Sequence, residues 1–200
     1  EGARGVTEIT VRGAADDDPP PPVPGKLKLT TEISPDVELD YYIMFEGVDG
    51  GQSAKWLQIE SFSLGFQNSG STHIGSGSVS ADDALISFGS SGHFAELALL
   101  AANGKHIAKV QVAAGELVEG KFKAHDVYGF DDVIISSVGV DGGPGATLHS
   151  ASFDFREFGH RHTTFDELGK GTSTEMAWDF ATNKAGAGSF DSPEANAGAG

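Results

Sequence analysis

Apolar and polar residues alternate with period two along much of the chain, which is the pattern of half-buried strands. In residues 26–33 (KLKLTTEI), Leu27, Leu29 and Ile33 share one face. Residues 40–47 (DYYIMFEG) are apolar on both faces, so this strand should be covered on each side. In 55–66 (KWLQIESFSLGF) the apolar set changes parity. Leu57 and Ile59 lie on one face, whereas Phe62, Leu64 and Phe66 lie on the other. A bulge or bend near Glu60–Ser61 reconciles the two, as where a strand turns a barrel corner. Further strands are predicted at 107–112, 116–124, 132–138 and 146–158, the last with Ala151, Phe153 and Phe155 inward. Residues 175–180 (EMAWDF) place Met176, Trp178 and Phe180 on one face. Residues 90–105 break the pattern. Phe94, Leu97, Ala98 and Ala101 recur at helical spacing, Ser90 or Ser91 can cap the start, and Gly104 can end it. The expected body is therefore all-β, with one short side helix.

The two ends differ from this body. Residues 5–12 (GVTEITVR) alternate weakly and predict a short strand. Residues 15–25 (ADDDPPPPVPG) follow, and four consecutive prolines can join neither a helix nor a central strand. They favour polyproline II, a stiff spacer. The Asp triplet lacks the alternating spacing and the Gly of a calcium loop. An N-terminal arm is thus expected over 1–25, a β domain over 26–184, and an Ala/Gly-rich tail over 185–200 that is loose or ordered only by a neighbour. GVDGG occurs at 47–51 and again at 139–143, and is read as one turn solution used twice, with Asp-Gly supplying positive φ.

Composition narrows the partners. The chain has 200 residues, 28 of them Gly and none Cys, enough for one domain with a core plus extensions. Without Cys there are no disulfides and no thiolate zinc sites. The formal net charge of −16 repels nucleic acid and anionic lipid, so neither is expected as a partner. No segment is apolar and long enough to cross a bilayer as a helix, and membrane insertion is not expected. The numbering opens at Glu1 rather than Met, and the expectation is a leader already removed and a secreted, extracellular protein.

Candidate chemistry is sparse. Residues 69–80 (SGSTHIGSGSVS) combine Ser, His and Gly in the manner of a nucleophile with its base. The spacing fails. Ser76 stands between Gly75 and Gly77 rather than in Gly-x-Ser-x-Gly, and Ser80 stands where a dinucleotide fingerprint needs its third Gly. LGKGTST at 168–174 lacks the first Gly of a phosphate loop, and Gly171 separates Lys170 from Thr172. His160 and His162 could share a strand face, but spacing identifies no third metal ligand. His73, His93, His106, His125 and His149 are scattered singly. No catalytic residue, cofactor or metal is assigned, and an enzyme is not expected.

Six segments in order then resemble a known family: 40–50 (DYYIMFEGVDG), 59–80 (IESFSLGFQNSGSTHIGSGSVS), 99–112 (LLAANGKHIAKVQV), 132–142 (DVIISSVGVDG), 152–158 (SFDFREF) and 176–184 (MAWDFATNK). From about residue 39 to 184 the chain resembles the hemolysin-coregulated protein (Hcp) family, the tube proteins of type VI secretion systems. The resemblance implies a β-barrel-like body of two packed sheets with one side helix. It implies hexameric rings that stack into hollow tubes, with effector proteins as possible cargo in the lumen, and no catalytic residues. Segment 69–80 would be an extended connection beside a neighbouring subunit, which makes Ser71, Thr72, His73, Ile74, Gly75 and Gly77 ring-contact candidates. The chain departs from the family in a short loop after GVDGG at 47–51 and in the arm with its Pro spacer. In compensation the arm, through Val6, Ile9 and Val11, is expected to add a strand to an adjacent ring. The other classes weighed are a secreted β-barrel that binds a ligand or glycan, with Trp56, Tyr41 or Tyr42 as stacking platforms, and a Ser/His hydrolase using Ser76 and His73.

Overall fold

The computed structural model describes residues 39–51, 55–69, 78–143, 145–166, 168–188 and 190. The arm with Val6, Ile9 and Val11, the predicted strand at 26–33, the contact candidates Ser71, Thr72, His73, Ile74, Gly75 and Gly77, and residues 191–200 lie outside that set.

Eleven strands and one helix follow in chain order: β1 (Asp40–Phe45), β2 (Leu57–Ile59), β3 (Ser61–Ser63), β4 (Phe66–Asn68), β5 (Val79–Ala81), β6 (Ala84–Gly89), α1 (His93–Asn103), β7 (Ile107–Val118), β8 (Lys121–Gly143), β9 (Ala146–Phe165), β10 (Gly171–Asp179) and β11 (Lys184–Ala185). All pairings are antiparallel. β1 lies between β2 and β7, β7 pairs with β8, β8 with β9, and the first half of β9 with β6. β6 in turn pairs with β3, which continues β2 through Glu60. The Glu60 N–H donates to the Ser87 carbonyl (2.8 Å), so the bend itself is tied to β6. This circuit closes the strands into a barrel, which removes the free edges that an open sheet would expose. The parity break read at Glu60–Ser61 is thus the corner at which one strand passes from β1 to β6.

The core fills this barrel. Ile43, Phe45, Ile86, Phe88, Val110, Val112, Phe130, Val133 and Phe153 are buried in it. Ala84, Ile86 and Phe88 alternate with exposed Leu85, the period of a strand with one wet face. Ala151, Phe153 and Phe155 point inward as their spacing predicts. β8 needs a second parity break, because Phe130 and Val133 are both buried. It occurs at Asp132, which takes a left-handed φ of 55°. α1 covers β8 with Leu97, which is fully buried. The helix ends as read: Gly104 is left-handed (φ 64°) and its N–H donates to the Leu100 carbonyl at 2.9 Å. Its start differs from the Ser90 or Ser91 cap expected: the N-cap is Gly92, which has no side chain to cap with, and Ser91 Oγ accepts the His93 N–H just ahead of the first turn at 3.3 Å.

Three local expectations are corrected. The predicted strand at 116–124 is instead a hairpin, with Glu119 (φ 52°) and Gly120 (φ 75°) as a two-residue turn between β7 and β8. Positive φ at both positions is what the strand twist demands of such a turn. Residues 139–143 are not a turn but the end of β8, paired with Ala146–Ser150, and the chain reverses beyond them, near Gly145 (φ 97°). At 47–51 the turn stands, with Gly47, Gly50 and Gly51 all at positive φ. The start of the tail is not loose. β11 pairs with Trp178 and Asp179, and the Ala187 and Gly188 N–H groups both donate to Glu157 Oε1 (3.1 and 3.3 Å). Phe190 packs on Gly159 and under the Arg161 guanidinium.

Candidate assembly interface

Beyond the barrel, β8 and β9 run on and β10 joins the far side of β9, making a wing. The ladder sets side chains of five strands in rows on the face that continues the barrel interior. One row is Trp178–Phe158–Phe130–Val110–Phe45, the next Met176–His160–Tyr128–Val112–Ile43, and the last Thr174–His162–Asp126–Ala114–Tyr41. The first two rows start in core at β1, with Phe45 and Ile43, the third starts at the partly buried Tyr41, and all three end on β10, where cover runs out. Met176 is half exposed.

The polar row holds the one feature that spacing had flagged. His160 and His162 do share a face, and the residue they meet is Asp126, 34 and 36 positions earlier. Asp126 Oδ1 accepts from His160 Nε2 (2.9 Å) and from His162 Nδ1 (2.7 Å). A carboxylate only accepts, so each ring presents its N–H there. The two rings converge on one oxygen rather than on a shared external point. Among the described residues no group of three His, Cys, Asp or Glu is arranged to hold a metal ion. His160 stacks on Tyr128 (4.8 Å, 9°). The Tyr128 phenol is pushed up to about 12, first by burial and then by the Asp126 charge and Tyr41. It remains a neutral hydrogen-bonding group across the physiological range.

Beside this row lies an apolar cleft of 280 Å³, lined by Phe66, Val79, Phe158, Met176, Trp178 and Phe180. Phe66 comes from the β4–β5 ribbon and stacks on Phe180 (6.0 Å, 9°). The buried Trp178 Nε1 has no hydrogen-bond partner. The same ribbon closes the base of segment 69–78, where Ser69 Oγ donates to the Ser78 carbonyl at 3.0 Å. A larger, more polar cleft of 490 Å³ adjoins it, bordered by His106, Asp132, Asp154 and Arg156. His106 Nδ1 donates to Asp132 Oδ1 at 2.6 Å.

β10 carries a further signal that alternation alone does not reveal. β11 covers its outer side only at Trp178 and Asp179, and the Ala177 carbonyl accepts from Gly186. Along Gly171–Met176, no strand pairs with that outer edge among the described residues. The stretch carries no Pro or Lys, and Glu175, its single charge, is bound to Arg161 Nε at 2.6 Å.

The other candidates are placed less favourably for chemistry. Tyr42 is 7% exposed and edge-on to Phe122 (5.0 Å), so it offers no platform for a sugar. A Ser–His contact does exist, but between Ser91 Oγ and His93 Nδ1 (2.8 Å). His93 is 2% exposed beneath the turn at Gly50, where any Cβ would collide with its ring. Burial lowers its pKa, against the opposing charges of Glu96 and Asp49. A ring sealed in this way packs the turn onto the helix and cannot reach a substrate.

No family model matches the sequence, and no curated protein does. The fold does match solved structures. A type six secretion system protein is 21% identical with a TM-score of 0.65, covering 74% of this chain and 100% of its own. Hcp1 from Salmonella typhimurium is 19% identical at 0.61, covering 74% and 99%. A type VI secretion system effector from Yersinia pestis is 17% identical at 0.56, covering 70% and 99%. The described strands and helix therefore carry the Hcp fold, the all-β barrel with one side helix that the ordered segments resemble.

Proposed function

We propose that this chain is a structural subunit that assembles with copies of itself into rings, six to a ring, stacked into a hollow tube or extracellular filament. The reading rests on the Hcp fold joined to one observation: among the described residues the wing ends in an unpaired edge beside an apolar cleft. Open edges invite another chain, and a protein that keeps one has a use for it. The N-terminal arm links adjacent rings, segment 69–80 contacts the neighbour within a ring, and the lumen can carry secreted effector proteins. The tube acts outside the cell, without a cofactor and without catalysis.

Charge sets a condition on this assembly. Six copies at −16 each carry roughly −96 per ring, and rings stacked at low salt repel strongly. At 0.15 M salt the screening length is about 8 Å, so repulsion between rings is largely confined to their touching rims. Negative-stain images over a salt series test the reading. Rings and tubes should appear, with tubes shortening into rings as salt is removed. Deletion of residues 1–25 should leave rings and abolish tubes, and equally stable tubes without the arm would end its linking role. Monomers by light scattering at high concentration and high salt would overturn the assembly and favour a secreted ligand-binding barrel that uses the two clefts.

A further inference from the structure

The outer edge of β10 is the best-defined vacancy for a backbone partner among the described residues. Gly171–Met176 is six residues of strand, about 20 Å long, paired on one side only. The side chains of this edge already have two characters. Thr174 and Met176 lie on the face of the apolar cleft, and Ser173 and Glu175 lie on the other. A strand added here would need the same division, with apolar residues on one side and polar residues on the other.

Two segments outside the described residues divide in this way: 26–33, which lies within seven residues of β1, and 5–12, which stands beyond the polyproline spacer and so has the tether to reach a second copy. In 5–12 (GVTEITVR), Thr7, Ile9 and Val11 fall on one side and Val6, Glu8, Thr10 and Arg12 on the other, so the division is clean over 8–12. Its eight residues are enough to span the six of the edge. Its charge also fits: in residues 1–13, Arg4 and Arg12 offset Glu1 and Glu8, so the tip is neutral within a chain of net −16. A neutral tip is not driven off by the acidic surface of a second copy. The polyproline stretch behind it reaches roughly 30 Å in about ten residues, enough to leave its own subunit.

We infer that the β10 edge of one subunit accepts residues 5–12 of a second copy as an added strand, with Ile9 and Val11 seated towards Met176 and the cleft beside Trp178. The inference rests on the assembly reading and names its acceptor. Backbone pairing holds the strand, and the apolar cleft sets its register by one-residue discrimination, since a slip by one turns Ile9 and Val11 to the polar side.

The absence of Cys makes the test clean. Two full-length single-cysteine chains, Thr10→Cys and Ser173→Cys, one with a mass tag, are mixed, assembled in high salt and oxidised. Thr10 and Ser173 lie on the same side of the proposed pair, so a mixed disulfide is expected as the main cross-linked product, and it can only be intermolecular. A Met176→Glu change in the Ser173→Cys chain should reduce that product several-fold by placing a charge in the cleft. Tubes without the mixed product overturn this acceptor while leaving assembly intact. Self-pairing of the Ser173→Cys chain alone would mean that two β10 edges meet, and overturns the arm as occupant. Isolated chains under these conditions overturn both the acceptor and the assembly.

Discussion

Phe130 is the side chain on which barrel closure depends, and its removal should cost more than that of any neighbour. It is fully buried. Its ring meets Phe155 (4.8 Å), Phe153 (5.2 Å) and Phe158 (5.6 Å) on β9 and, across the barrel, Phe62 (6.2 Å) on β3. Phe62 sits just past the Glu60 corner, so this contact joins the strand that turns the corner to the far wall. Truncating a buried Phe to Ala costs about 3–5 kcal/mol, made of lost transfer energy and the cavity left behind. With neighbours on two walls that cannot collapse together, Phe130→Ala should fall in the upper half of that range. A domain has only about 5–15 kcal/mol in all. Phe130→Leu keeps most of the volume and should cost roughly 1.5 kcal/mol or less. Urea unfolding read by tryptophan fluorescence suits the question, since Trp56 precedes β2 and Trp178 lies on β10, at two margins of the body. Both should report one shifted midpoint. A Phe130→Ala loss under about 1.5 kcal/mol, or Ala and Leu variants of equal stability, would refute Phe130 as the hub of one closed core.

Two further outcomes follow from local geometry. The buried His93 has a folded pKa below its unfolded value, so the unfolded chain binds the extra proton first. Stability should be full above the ordinary imidazole range and fall as pH drops through about 6.5, levelling off only below the depressed folded value. A His93→Gln variant should lose that component, as seen in thermal melts from pH 8 to 5; an unchanged pH slope would show that other groups carry it. Gly115 sits at the bulge where β7 shifts register on β8, and a Cβ there would press on the backbone of Lys123 and Ala124. Gly115→Ala should cost about 1–3 kcal/mol. Gly89→Ala, which meets nothing within 4 Å, should cost well under that in the same urea assay.

The wing is the part of the fold that lies outside the closed barrel. Closure pairs β1, β6 and β7 on both sides, whereas β10, where it extends past the circuit, is paired on one side over Gly171–Met176 among the described residues. On the other face of the wing, Asp131 stands opposite Glu157 in the ladder, and burial together with that second carboxylate raises the Asp131 pKa. Glu157 is answered in turn by the two N–H groups of the tail. One face of the wing is thus covered by the chain's own end, and the opposite face ends in the half-exposed Met176 and the cleft.

Much of the barrel was legible in the residues because alternation is a local property. Period two alone assigns Phe153 and Phe155 inward, the parity break places the corner at Glu60, and Gly104 after an apolar helical stripe ends α1. β6 carries the same alternation in Ala84, Ile86 and Phe88, but six residues lodged between the Ser/Gly segment and the helix do not stand out as a strand in the sequence. The Glu119–Gly120 turn was hidden for a different reason. Glu is a poor left-handed residue and no turn signature marks it, but the ladders of β7 and β8 on either side hold it there. Alternation says which way a side chain points and says nothing of the strand it will face. The meeting of Asp126 with His160 and His162, the continuation of 139–143 as strand, the docking of the tail on Glu157 and the open edge of β10 all depend on pairing between distant segments. The sequence by itself determined the faces, the corner, the helix stop and the acidic surface. Only the tertiary structure decided the neighbours, because hydrogen-bond register between strands is fixed by the whole barrel closing at once rather than by any one strand.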